Sequence, residues 1–129
     1  MSRPSLLASA AAFALALAIA PSTALAADLA KGKETFKMIC STCHGEGGKG
    51  DGPGGQGLQP PPRDFTKGDF KFDANKNGKT GEDADLHAVI HDGAAAYGGS
   101  PLMAPWGGTL TDADIDNVIA VIRSLKAKK

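Results

Sequence analysis

Five consecutive residues carry the densest chemistry in the chain: Cys40, Ser41, Thr42, Cys43 and His44. Two thiols three positions apart, followed at once by an imidazole, admit several chemistries. In an oxidising compartment the pair could close a disulfide. A thioredoxin-like redox site would need a βαβ setting, and the flanking residues give no such pattern. Zinc would need two further ligands at suitable spacing; no second Cys pair exists, and His87 and His91 are distant in sequence. The reading that uses all three side chains is covalent haem attachment, C-x-x-C-H. Cys40 and Cys43, about one helical turn apart, would form thioethers to the haem edge. His44 would then project its imidazole to the iron as the proximal ligand.

The rest of the chain is consistent with a small domain that needs such a group. Its 129 residues point to one domain. Equal counts of 14 basic and 14 acidic residues argue against a nucleic-acid partner, which would demand a basic excess. With 42% apolar and 22% charged residues the composition is globular rather than disordered. Two Cys cannot build a disulfide scaffold.

The N-terminus has the three parts of a secretory signal: Arg3, an apolar run from Leu6 to Ala20, and small residues at Ala24 and Ala26. That run is short for a membrane span, which needs about 20 residues. Cleavage after Ala26 would leave residues 27–129 as the mature, periplasmic domain, with no transmembrane segment. A domain of that size with five Phe, one Trp and one Tyr is poor in core material, and a buried cofactor would supply it.

Read together, Cys40 to Gly45, Gly50-Asp51-Gly52-Pro53, Leu58 through Phe65, Met103-Ala104-Pro105-Trp106 and Ile122 to Leu125 resemble the class I c-type cytochromes, over nearly the whole mature chain. The resemblance implies an all-α cytochrome c fold: three to four helices around one covalent haem, with long Gly/Pro-rich loops. It also implies that Gly32 and Phe36 form the crossing with the terminal helix. A carbonyl of the proline region, Pro60, Pro61 or Pro62, would orient the His44 ring.

The elements that must position these groups can be read from periodicity. Asp28 to Ile39 predicts a first helix, with Leu29, Gly32, Phe36 and Cys40 on one face. Leu86, Val89 and Ile90 predict a short helix over 83–91, stopped by Gly93. Thr111 and Asp114 form a capping box for a last helix whose stripe is Ile115, Val118, Ile119, Ile122 and Leu125. No strand pattern competes. The iron's sixth ligand must arrive from a distant part of the chain. Met103, 59 positions after His44 and braced by Pro101 and Pro105, is the candidate, since Met38 is too close to Cys40 to reach across.

Other signals are weaker. Gly50 to Gly55 matches G-x-G-x-x-G without the strand and helix that motif requires. Asp73 to Gly78 begins like a calcium loop, but its twelfth position is Ala84 where a bidentate Glu belongs, so calcium at 73–84 would need Glu82 or Asp83 as a substitute in a non-standard loop. His87 and His91 share a face and read as solvated, with metal binding as the alternative. Some of Phe65, Phe70 and Phe72 are expected against the haem or under it, Arg63 is a candidate for a haem propionate, and Trp106 is expected as a core aromatic near the haem edge.

With His44 and Met103 filling both axial positions, no substrate site remains. The expectation is therefore an electron carrier between respiratory redox partners rather than an enzyme. It would act as a monomer through small, transient interfaces. The alternatives are a cytochrome subunit of a periplasmic oxidoreductase complex and a haem-based gas or redox sensor.

Overall fold

The computed structural model describes residues 26–126. The expected signal segment, 1–26, falls outside the described residues except for Ala26, and so do residues 127–129.

Four α-helices follow one another: α1 (Leu29–Thr35), α2 (Ser41–His44), α3 (Asp83–Asp92) and α4 (Asp112–Ser124). Asp28 caps α1 by accepting from the amides of Ala30 and Lys31. The helix does not end at Ile39 as its pattern suggests. It runs through one π turn, Phe36–Cys40, directly into α2. There the Ser41 amide reaches back to the Phe36 carbonyl and the Ser41 hydroxyl donates to Lys37 O at 2.6 Å. The wider turn carries the Cys40–His44 motif on the end of a continuous helical segment.

α4 behaves as its sequence predicts. Thr111 and Asp114 cap each other reciprocally, and Ile115, Val118, Ile119, Val121 and Ile122 are buried. Those residues form one core with Phe36, Phe65, Leu86 and Ile90. α1 crosses α4 at Gly32. A Cβ there would overlap the carbonyl of Asn117 and stand 2.9 Å from Val121 Cγ2. The helix therefore accepts the propensity cost of a glycine, about 1 kcal/mol, to allow backbone contact. The Asn117 side chain also accepts from the Asp28 amide at 2.7 Å, fixing the start of α1 on α4. α3 packs on the same helix, and Arg123 of α4 bonds Asp83 at 2.7 Å and the Gly81 carbonyl at 2.6 Å.

Among the described residues there is no strand, and no helix is long and apolar enough to cross a membrane. The loops are long and are built on short 3-10 turns at Pro53–Gly55, Phe65–Lys67 and Ala94–Tyr97.

Candidate functional site

Helices α2, α3 and α4 and the loops between them surround an open, mostly apolar cavity. His44 and Cys43 reach it from α2, Leu86, Val89 and Ile90 from α3, and Met103 from the loop before α4. Phe65, Phe70 and Phe72 all contribute to its wall, as expected of them.

His44 is held from two sides. Its Nδ1 lies 3.1 Å from the carbonyl oxygen of Arg63, and the Phe65 ring stacks on the imidazole with centroids 4.4 Å apart. The tie comes from Arg63, not from Pro60, Pro61 or Pro62, which corrects the sequence expectation. The proline run carries the chain along the cavity, and the first carbonyl beyond it is the one that meets the ring. Nδ1 used in this way leaves Nε2 as the free donor atom for a metal. Burial holds the imidazole below its ordinary pKa, against the opposing effect of the Arg63 hydrogen bond. It is therefore neutral, as a ligand must be.

The Gly-rich loop closes over the motif. Gly50 N–H donates to the His44 carbonyl at 2.8 Å and Gly52 N–H to the Cys43 carbonyl at 3.2 Å. A Cβ at Gly52 would collide with the carbonyls of Ser41 and Thr42. The glycines therefore serve close approach to the helix end, and the phosphate-cradle pattern is incidental. Cys40 packs against the core, and burial pushes its thiol up to about 11.

Met103 is half-buried and packs against the core. Met38, in the π turn, is exposed. Trp106 is half-buried and packs on the core, as expected of it.

Arg63 and Lys71 are the basic residues of the cavity wall, and Arg63 also lies 3.6 Å from Asp69. Asp85, the acidic residue of that wall, is 1% exposed. It accepts from the amides of Ala74 at 2.8 Å and Glu82 at 2.9 Å. Desolvation pushes its carboxyl up, but the amides of Glu82, Ala74, Asn75 and Gly81 together outweigh this and hold it below the usual carboxylate range. The sequence presents Asp85 only as one of several acids at a helix start.

The calcium-like loop uses its oxygens internally. Asp73 accepts from the amides of Asn77 at 3.0 Å and Gly78 at 2.8 Å, and Asn75 accepts from Asn77 N–H at 3.1 Å. His87 lies 3.4 Å from Asp112, and His91 lies 2.7 Å from Asp92. Among the described residues no group of three or more His, Cys, Asp or Glu side chains is arranged to hold a metal ion.

An apolar slot lined by the Cys43 thiol, an oriented neutral imidazole and a thioether, with Cys40 one turn back on the same helical segment and packed against the core rather than in the slot wall, has the donor set and the shape for a flat, mostly apolar macrocycle. Comparison with known proteins agrees. The family model described as cytochrome c oxidase, cbb3-type, subunit III matches residues 27–122. A thiosulfate dehydrogenase of Stutzerimonas stutzeri is 32% identical over 97 residues, which is 75% of this chain and 27% of the relative. The chain thus spans about a quarter of that curated relative's length. A chain of the Kuenenia stuttgartiensis reducing HAO-like protein complex superposes with a TM-score of 0.61 at 35% identity, over 74% of this chain and 41% of that one. A c-type cytochrome, KustC0563, gives 0.51 at 28% identity, over 74% of this chain and 98% of that one.

Proposed function

Because the chain belongs to the cbb3-type cytochrome c oxidase subunit III family of c-type cytochromes, we propose that it moves single electrons through a haem c ligated by His44 and Met103. Covalent haem c and an electron-transfer role come with the family; the ligands and the setting are our reading. The observation that carries the ligand assignment is that His44 and Met103, far apart in sequence, line the same cavity.

The haem supplies an iron that cycles between ferrous and ferric. The chain's residues do the rest. Cys40 and Cys43 anchor the macrocycle at the helix end. Arg63 O and Phe65 keep the His44 ring from turning. Met103 brings a soft, uncharged sulfur, which raises the reduction potential relative to a second His. The aliphatic and aromatic wall excludes water, so little rearranges when charge changes. Arg63 and Lys71 are the cations placed to receive the haem propionates. With His44 and Met103 both holding the iron, outer-sphere transfer between redox partners would be the activity left.

The residues before Ala27 support export to the periplasm. The thiosulfate dehydrogenase and reducing-complex relatives favour one variant of this role, an electron-accepting domain within a larger oxidoreductase assembly. Carbon monoxide added to the reduced protein tests the core reading. Slow or absent binding is expected, and rapid tight binding would mean an open iron site, as in a sensor or a haem enzyme.

A further inference from the structure

Asp92 and Tyr97 have no role in the site as described, yet they close a ring around a turn that hydrogen-bonds to Met103. The Tyr97 hydroxyl donates to one carboxylate oxygen of Asp92, and His91 Nδ1 lies 2.7 Å from the other. The residues enclosed, 92–97, include Gly93 and Ala94. The Ala94 amide donates to the Met103 carbonyl at 3.1 Å. Gly93 has no side chain where Met103 and Pro105 press close; a Cβ there would stand 3.0 Å from Met103 O and 3.1 Å from Pro105 Cδ. Beyond Met103, the Trp106 amide donates to the Ile90 carbonyl at 2.9 Å and the Gly107 amide to the His91 carbonyl at 3.0 Å.

The Met103 segment therefore hangs by two backbone hydrogen bonds on the C-terminal end of α3 and by a third on the turn that follows it. The turn that provides one of them is closed by the Tyr97–Asp92 side-chain bond together with its own backbone bonds, from Gly98 N–H to Ala95 O at 3.3 Å and from Gly99 N–H to Ala94 O at 2.8 Å. The hydrogen bond from Tyr97, then that from His91, holds Asp92 below the usual carboxylate range. The same contact raises the Tyr97 phenol. At neutral pH a protonated phenol thus donates to an ionised carboxylate, the stronger kind of hydrogen bond.

We propose that Asp92 and Tyr97 are positioning residues for the Met103 thioether: by fixing the Gly93–Ala94 turn they set how firmly that sulfur is held toward the iron. This rests on Met103 as the sixth ligand. A loosened turn would leave the haem attached and His44 in place, but would let an outside ligand displace Met103 more readily.

The test is an imidazole titration of the ferric holoprotein, followed by loss of the far-red methionine-to-iron charge-transfer band. Imidazole competes within the folded protein, so a change in global stability alone does not move the result. Tyr97→Phe should lower the imidazole concentration needed on the order of fivefold, the factor equivalent to one hydrogen bond of ~1 kcal/mol. Asp92→Asn keeps an acceptor oxygen and should fall between wild type and Tyr97→Phe. An unchanged titration in Tyr97→Phe overturns the positioning role alone. Absence of the band from the wild-type protein overturns Met103 ligation, and this inference with it.

Discussion

The carbonyl oxygen of Arg63 lies 3.1 Å from Nδ1 of His44. The imidazole is thus oriented by a main-chain atom, and the Arg63 side chain is free for other work. Arg63→Ala should retain haem and the spectrum of the His44-ligated iron, while lowering the reduction potential because a cation that disfavours the ferric state is gone. A potentiometric titration with visible spectra checks both, and loss of His44 ligation would contradict the main-chain role. Phe65 differs, since its ring is the packing surface behind His44 and is buried. Phe65→Ala should cost about 3–5 kcal/mol in denaturant unfolding.

Gly32 marks the closest approach of α1 to α4. Gly32→Ala would gain helix propensity on an isolated helix. Here its Cβ overlaps the Asn117 carbonyl, and that atom belongs to a helix backbone and cannot turn aside. The expected net effect is destabilisation of about 1–3 kcal/mol, measured by guanidinium unfolding of the holoprotein. A stabilised variant would mean the two helices are not in backbone contact.

Much of this was legible in the sequence for identifiable reasons. The stripe and capping box of α4 are local patterns, and local patterns survive folding. The Cys40–His44 spacing is set by covalent chemistry, and Gly32 signals itself as a costly residue in a helix. Other features depend on register in space. Whether Pro62 or Arg63 meets His44 depends on where an extended segment lies along the cavity, and composition does not encode that. The π turn at Phe36–Cys40 has no residue signature. Asp85 looks like an ordinary helix-start acid, and only the return of Ala74 and Asn75 over it shows that it is buried. Asp92 and Tyr97 are five positions apart across a glycine turn, a spacing that matches no regular period.

Asp85 should make the protein acid-sensitive. Its carboxyl titrates lower in the folded chain than in the unfolded one, where the value is about 4. The stability it contributes is therefore complete above the unfolded value and is lost as pH falls through the lower, folded one. Asp85→Asn should be less stable than wild type at pH 7 and should lose less additional stability on acidification below pH ~4. Parallel unfolding curves across that range would contradict this account of Asp85.

Met103→Ala should lower the reduction potential and admit carbon monoxide to the reduced iron, because the sixth position loses its sulfur. An unchanged potential would remove Met103 from the ligand role and leave it as a packing residue.

The central claim is that Cys40 and Cys43 carry the haem while His44, the next residue, turns to its iron. Mass spectrometry of the denatured, proteolysed protein tests it most directly, using material matured in a host competent for haem attachment. The account predicts that the peptide containing Cys40 to His44 retains one haem and that neither thiol reacts with an alkylating reagent. A peptide of unmodified mass with two alkylated cysteines would contradict it.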